Sequence, residues 1–191
     1  SKQEIIRRYF DALNALAKGS TSEKEAQKIE LLMNMAGITV TDRKVVIKAL
    51  ERAKETDGPA AALELRDGRI ITGKTTNLLG ASAALLLNVL KVLAGIDHET
   101  HIISPESIEP IQKLKVDYLK SKNPRLHTDE VLIALSASAA TNPQARLALS
   151  QLPELAGCQA HTSVMLSDVD IKIFKKLEVQ LTSEAVYEHA L

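Results

Sequence analysis

Apolar residues recur along the first part of the chain at the spacing of amphipathic helices. Three such patterns occupy residues 1–58, and a glycine follows each of them, at Gly19, Gly37 and Gly58. Apolar positions that return every three or four residues form one stripe of a helix, and glycine commonly ends a helix. We therefore predict a helical leader of three helices over residues 1–58, with Thr41 as the N-cap of the third.

A nearly continuous apolar run extends from Leu78 to Ile96. Its main polar exceptions are Ser82, Asn88 and Lys91. A helix that is apolar on all sides lies in a protein core or in a membrane. Lys91 near the middle would cost roughly 2.5–3.5 kcal/mol on membrane insertion, and no basic flank sets a topology. The run therefore predicts a buried central helix of a protein core.

The segment before this helix has the pattern of a β-hairpin. Asp67-Gly68 lies between two runs of apolar and β-branched residues, which is typical of a two-residue type I′ turn. We predict a hairpin at residues 61–73 in which Leu65 pairs with Ile70. In that register both side chains face the core, and Ile71 points to the other side of the sheet.

The same residues also match a nucleotide-binding motif. Residues 68–75 read GRIITGKT, which fits the phosphate-loop pattern GxxxxGK[ST]. In such a loop backbone N–H groups hold the phosphates, Lys74 contacts the terminal phosphate and Thr75 binds magnesium. The β-branched residues 70–72 favour a strand instead. We favour the hairpin and keep an anion-binding, nucleotide-binding or hydrolytic domain, with ATP and magnesium as ligands, as the alternative.

The best candidate for a ligand site is the link between the hairpin and the long helix. Free N–H groups at a helix start attract anions. We therefore predict an anion at Lys74, Thr75, Thr76 and Asn77, with His161 nearby as a further ligand-binding residue. The alternative is simple helix capping by Thr76 or Asn77 beside a solvated lysine.

No catalytic residue and no metal ligand are predicted. The run DHETH at 97–101 has metal-binding residue types, but a single residue between Glu and the second His breaks the HExxH spacing. His161 and Ser163 are two residues apart on a predicted strand, so their side chains are roughly 6–7 Å apart. Ser82 lacks the glycine that completes a nucleophile elbow.

The rest of the chain adds helices and strands around the central helix. Period-two alternation predicts strands within 158–167 and 177–181, of open relative direction, and a short strand at 101–103. The predicted fold is α+β, or mixed α/β, with buried central helices, surrounding amphipathic helices and a small sheet of about five strands in a body at 59–191. Further helices are predicted after the N-cap residues Ser104, Thr128, Asn142 and Ser167.

The composition of the chain limits the classes of partner that we expect it to bind. Lys plus Arg and Asp plus Glu both number 24, so no net charge points to nucleic acid or to an anionic membrane. Aromatic residues make up 3%, which argues against base stacking. A single cysteine, Cys158, excludes an internal disulfide and is typical of a reducing compartment. With no signal peptide visible, we expect a cytoplasmic protein.

Five stretches of the chain carry a resemblance. They are SKQEIIRRYF, DGRIITGKTTNLLGASAALLLN, HIISPESIEPIQKLKVDYL, SKNPRLHTDEVLIALSASAATNP and GCQAHTSVMLSDVD. Together they resemble the C-terminal half of an uncharacterised bacterial family, described as a domain of unknown function, some members of which carry an ATP-dependent peptidase label. The resemblance covers nearly the whole chain.

The resemblance implies that this chain is a piece of a longer protein. In that family the N-terminal half carries a separate glycine-rich, phosphate-loop-like segment. We therefore expect an accessory or oligomerisation domain that contacts the N-terminal half of the same protein and forms a homo-oligomer. The family has glycine where this chain has Glu178, at the end of a short helix. It supplies no catalytic residues.

Overall fold

A computed structural model describes residues 1–20 and 22–188 of the chain. Within those residues eight helices surround one four-stranded mixed sheet, so the predicted α+β class is confirmed and the predicted strand number of about five is wrong. The strand order is β2-β1-β3-β4. The elements are α1 (Lys2–Ala17), α2 (Glu23–Ala36), α3 (Lys44–Thr56), β1 (Ala60–Glu64), β2 (Ile70–Lys74), α4 (Ala81–Ala94), α5 (Pro105–Lys113), α6 (Thr128–Ser138), α7 (Pro143–Leu149), β3 (Gln159–Thr162), α8 (Asp168–Lys176) and β4 (Gln180–Ser183).

The leader contains the three predicted helices. Helix α2 ends at Gly37 in a left-handed conformation, as the sequence predicts. The start of α3 differs, because Thr39 and Asp42 form a reciprocal capping box around a short 3-10 turn and Thr41 lies inside that turn. Helix α3 therefore begins only at Lys44.

The hairpin forms, but its turn differs from the predicted type. Gly68 N donates to Leu65 O at 2.9 Å, and Leu65 N donates to Arg69 O at 2.8 Å. Only Gly68 of the turn has a positive φ, 91°, so a three-residue turn replaces the type I′ turn, which needs two such residues. The register shifts by one residue, and Leu63 pairs with Ile71.

This shift reverses the faces of β2, because neighbouring residues of a strand point to opposite sides. Ile71 packs with Leu63 on the side of α4, and Ile70 packs against α3 on the other side. The predicted outward position of Ile71 is therefore wrong. Gly73 meets α4 so closely that a Cβ there would lie 2.3 Å from the backbone N of Leu85.

The predicted central helix is α4. It is buried along nearly all of its length and ends at Gly95. Two of its polar residues are hydrogen-bonded: Lys91 Nζ donates to the carbonyls of His98 and Thr100 at 2.7 and 3.1 Å, and Asn88 Nδ2 donates to Thr72 O at 3.0 Å. Across the described ranges, no helix is long and apolar enough to cross a membrane.

The second half of the sheet is built from β3 and β4, which run parallel with α8 as their connection. The predicted strand at 101–103 is wrong, because Ile102 and Ile103 are buried side chains of a loop with no strand assigned there. Helix α8 is followed by Glu178 with φ 60°, a conformation that glycine adopts most easily. The backbone at Glu178 therefore suits the glycine that the resemblance implies.

The leader and the body share packing at the sheet. Val45 and Ala49 of α3 form one buried cluster with Ala62 of β1, and Ile70 packs against it. A larger cluster on the opposite face joins α4 to the later helices and to β1 and β3. Helices therefore cover both faces of the sheet.

Candidate functional site

Three of the four predicted anion-binding residues line one cleft at the open edge of β2. Lys74, Thr76 and Asn77 border a cavity of about 620 Å³ between β2, α4 and the loop after α4. Lys74, Thr76 and Asn77 are exposed. The cleft is rich in basic and imidazole groups, since its other polar lining residues include Arg52, Asn88, Lys91, His98, Glu99 and His101.

The link from β2 to α4 is held in a defined turn. Thr76 Oγ1 accepts hydrogen bonds from the amides of Leu78 and Leu79 at 3.2 and 3.0 Å. Arg125 Nε donates to Thr76 O at 2.6 Å, and Gln112 Nε2 donates to Asn77 O at 2.9 Å. The Thr76 hydroxyl therefore satisfies amides of the link before α4. Capping of the helix by Thr76 or Asn77 is wrong, because the N-cap of α4 is Gly80.

The GRIITGKT segment does not curl around a ligand. Residues 70–74 form β2 and pair with β1, where Ile71 lies opposite Leu63 and Gly73 opposite Ala61. Amides that pair in a sheet are not available to hold phosphates. The strand predicted for residues 70–72 is therefore confirmed, and this stretch lacks the geometry of a phosphate loop.

A second, smaller cavity lies at the start of α4. Its volume is about 150 Å³, and Thr75 is the one predicted site residue that lines it. The first turn of α4 borders it with Ala81, Ser82 and Ala83. Ser82 is 4% exposed, and its Oγ has no hydrogen-bond partner among the residues that the structure describes.

His127 and Asp170 line the same small cavity. His127 Nδ1 lies 3.6 Å from Asp170 Oδ2, and this carboxylate raises the pKa of His127. Asp170 Oδ1 accepts from the amide and the hydroxyl of Thr128 at 3.0 and 2.5 Å. Although burial alone would raise it, the pKa of Asp170 is lowered by these bonds and by His127. Each of the two groups therefore favours the charged form of the other.

The combination of Ser82, His127 and Asp170 does not form a nucleophilic triad in this structure. Such a triad needs a hydrogen bond from the serine hydroxyl to the histidine ring. Ser82 Oγ has no such bond within the described ranges. Ser82 also lies inside the first turn of a helix, as the sequence predicts.

His161, the fifth predicted site residue, lies elsewhere. It is fully buried on the sheet face covered by α1, with the Phe10 ring centroid 4.8 Å away. Nδ1 is 2.7 Å from Thr182 Oγ1, and Nε2 is 2.6 Å from Glu184 Oε2. Burial lowers the pKa of His161, with the Glu184 carboxylate opposing it. The fold does not place His161 with Lys74 and its neighbours.

Arg43, on the same face of the sheet, is a buried charged residue that sequence reasoning did not identify. It is completely buried and lies next to His161 through Thr182, to whose Oγ1 its Nε donates at 3.0 Å. Burial lowers the pKa of Arg43 to about 10. No local pattern marks this residue, because its partners come from β3 and β4. In contrast, Ser82 is visible in the sequence as a polar exception in an apolar helix.

Metal binding has no support in the residues that the structure describes. No group of three or more His, Cys, Asp or Glu side chains is placed to hold an ion. His98 and His101 are both exposed at the cleft. The backbone carbonyls of His98 and Thr100 accept hydrogen bonds from the Lys91 ammonium.

Comparison with known proteins identifies relatives. The C-terminal model of the family described as domain of unknown function DUF1846 matches residues 41–191. The chain belongs to the DUF1846 family. The DUF1846 chain is 57% identical over 187 residues to a UPF0371 protein of Corynebacterium aurimucosum and 48% identical over 189 residues to a UPF0371 protein of Streptococcus pyogenes. These alignments cover 98% and 99% of the chain.

The DUF1846 chain spans only 38% of the length of each of these relatives. It corresponds to their C-terminal part, as the resemblance implies. The rest of these relatives is longer than the half that the resemblance implies. The matched region starts at residue 41, so the family model covers α3 and the sheet and omits α1 and α2.

Proposed function

We propose that this chain is the accessory C-terminal domain of a longer bacterial protein, and that the preceding part of that protein docks on the outer face of α2. The observation that carries the proposal is a second apolar stripe on this helix. Met35 is 77% exposed and Leu31 is 59% exposed, and Leu32 lies beside them. Burying one such side chain contributes about 1.5–3 kcal/mol, so a covered stripe would hold two domains together.

The stripe lies opposite the core face of α2. The buried residues of the helix are Ala26, Ile29 and Met33, which pack with α1. Leu31 and Met35 are four residues apart and therefore share one side of the helix, roughly half a turn from Ile29 and Met33. An ordinary surface helix has one apolar stripe. Helix α2 has two, and the second one is uncovered.

The position of Ser1 favours the preceding part of the chain as the occupant. Gln3 Nε2 donates to Asp42 O at 2.9 Å, so the start of α1 lies near the segment that follows α2. The exposed stripe occupies the second half of α2, close to the same end. In this proposal, the preceding part therefore reaches the domain near the end of α2 that carries Leu31 and Met35.

A double substitution in the full-length protein tests this docking. Leu31→Glu with Met35→Glu places two charges on the stripe, and we expect one cooperative thermal transition to separate into two and the domain junction to become cleavable by protease. The control is Ile133→Glu, since Ile133 is 68% exposed on α6, away from α2. Unchanged unfolding and cleavage in the double variant would overturn the proposal.

The predicted homo-oligomer is measured in the same preparation. Light scattering behind size exclusion gives the mass of the wild type and of the double variant. Loss of a dimer in the variant, with the domain junction still protected, would assign the stripe to a second copy and contradict docking of the preceding part. A mass that does not change, with an exposed junction, supports the proposal.

Nucleotide binding belongs, in this proposal, to the preceding part. The support from this chain is that GRIITGKT forms a paired strand. We expect ATP with magnesium to bind the full-length protein and not the 191-residue chain. Saturable binding to the chain that is lost in Lys74→Ala would instead support the alternative, a nucleotide site in this domain. The same titration tests whether an ATP-dependent peptidase label has any basis here.

A further inference from the structure

We propose that the small cavity at the start of α4 binds a phosphate group, held by the amides of residues 81–83 and by the hydroxyl of Ser82. This site is independent of the docking face on α2. Its ligand is one phosphate, supplied either as inorganic phosphate or as the phosphoryl group of a larger molecule.

Among residues 1–20 and 22–188, the amides of the first turn of α4 are donors without acceptors. The first backbone hydrogen bond of α4 runs from Ala84 N to Gly80 O at 2.9 Å. The N-cap residue is Gly80, which has no side chain that could accept a hydrogen bond from the first amides of the helix. Across the described ranges, the amides of Ala81, Ser82 and Ala83 have no acceptor. All three residues are buried. Leaving a buried donor unpaired costs about 1–3 kcal/mol, so an acceptor bound at this turn would stabilise the fold.

Ser82 adds a second and independent indication. Its hydroxyl is the one buried side-chain N or O atom without a partner in the part of the chain that the structure describes. Helical side chains lean toward the helix N-terminus, so Oγ lies on the same side as the free amides. Three amides and one hydroxyl therefore belong to residues that line one cavity at the positive end of a fourteen-residue helix.

The remaining walls carry charged groups of both signs. Arg125 lines the cavity and donates its Nε–H to Thr76 O, and the Asp170 carboxylate, 3.6 Å from His127 Nδ1, raises the pKa of His127. Two carboxylates also line the cavity. Asp170 is engaged by Thr128 and His127, and Glu188 is exposed. Within the described part of the chain, the unpaired groups of the cavity are therefore hydrogen-bond donors, namely the Ser82 hydroxyl and the amides of residues 81–83. Such donors suit an anion.

The volume of the cavity limits the size of the ligand that can bind there. A volume of about 150 Å³ corresponds to about five water molecules of liquid volume. Sites for drug-sized ligands have about 300–1,000 Å³, so a whole nucleotide does not fit. One tetrahedral oxyanion fits and has enough oxygen atoms for three amides and a hydroxyl.

The test is a titration of the chain with inorganic phosphate, followed by calorimetry and by thermal melting. We expect saturable binding and a rise in melting temperature. Ser82→Ala is expected to weaken binding about tenfold, as for loss of one hydrogen bond to a charged group. It should leave the phosphate-free melting temperature unchanged or higher, because an unpaired buried hydroxyl is removed.

Two further variants make the test specific. His127→Gln keeps the size of the side chain and removes its charge, and should also weaken phosphate binding. Ser104→Ala is the control, since Ser104 precedes α5 and its Oγ contacts only Ser107 Oγ, at 2.9 Å. Binding that is absent in the wild type, or that is equal in Ser82→Ala and wild type, would overturn the proposal, as would a crystal structure with water alone in the cavity at saturating phosphate.

The source of the phosphate is found by comparing inorganic phosphate with phosphoserine. Tighter binding of phosphoserine supports a phosphoryl group carried by a larger molecule, such as a modified peptide. Tighter binding of inorganic phosphate supports the free ion. In both cases the loss in Ser82→Ala must persist for the site to be the one at α4.

Discussion

The α4 face of the sheet is packed by small and aliphatic side chains, whereas the face under α1 and α3 contains a buried arginine and a buried histidine. On the α4 face, Ala61, Leu63 and Ala160 belong to the large apolar cluster. On the other face, Arg43 and His161 are both fully buried and meet at Thr182. The same four strands therefore support two different kinds of core.

The difference shows how each face tolerates change. The apolar face depends on close approach, because Gly73 touches the backbone of α4. The polar face depends on complete pairing, because an unmade hydrogen bond in a low-dielectric interior is costly. Steric substitutions should therefore damage the first face, and substitutions that remove a polar partner should damage the second.

Arg43→Met is expected to have the largest effect. The guanidinium donates to Thr182 Oγ1, to the Gln3 and Gln159 side chains, and to two strand carbonyls. Methionine removes all of these donors, and the Thr182 hydroxyl and the Ala160 carbonyl lie in buried residues. We expect a loss of about 4 kcal/mol in the free energy of unfolding, measured by urea denaturation. Arg66→Met is the control, because Arg66 is exposed and donates to Ala156 O alone. Equal losses in the two variants would remove the distinction between the faces.

Gly73→Ala should cause the second largest loss in the free energy of unfolding. The new Cβ would lie 2.3 Å from Leu85 N and 2.6 Å from Leu85 Cα, both of which are backbone atoms that cannot turn aside. We expect a loss of about 3 kcal/mol, typical of strong overpacking. Gly58→Ala serves as the control, since its nearest atom would be 3.9 Å away. A change of less than about 0.5 kcal/mol in Gly73→Ala would show that α4 can move away from the sheet.

The smallest effect concerns pH, and it has opposite signs at two histidines. Burial lowers the folded-state pKa of His161 below 6.5, so its contribution to stability is present above pH 6.5 and is lost as pH falls through that value toward the folded pKa. The Asp170 carboxylate raises the folded-state pKa of His127 above 6.5, so its contribution is present below pH 6.5 and is lost as pH rises through the folded pKa.

Denaturation midpoints from pH 5 to 8 separate these two contributions. His161→Gln should remove the decline on the acidic side, and His127→Gln should remove the decline on the alkaline side. Glutamine keeps a donor for Glu184 and an acceptor for the Thr182 hydroxyl, so the first variant should remain folded. An acidic decline that persists in His161→Gln would place its origin in other groups.

Local features of the fold were predictable because their causes lie within a few residues. The hairpin and the buried helix follow from the residue pattern of 61–96, and both are confirmed. The turn type was wrong, because Asp67-Gly68 can sit in a two-residue or a three-residue turn with little difference in local energy. That one-residue shift decided which sides of the sheet Ile70 and Ile71 occupy.

The candidate site was predictable only in part. Lys74, Thr76 and Asn77 share a cleft because they follow one another along the chain. The cavity at Ser82 has walls from residues 123–127 and 162–170, and no local pattern connects those segments with α4. His161 alternates correctly along β3, yet its neighbours are Phe10 and Glu184, at opposite ends of the chain.

The amino-acid sequence by itself determined the helices, the hairpin and the buried character of α4, since backbone hydrogen bonding and apolar periodicity act over short stretches. The tertiary structure decided the strand register, the burial of Arg43 and the donors that surround Ser82. Each of these depends on groups distant in the chain that satisfy or exclude one another only after the helices have packed on the sheet.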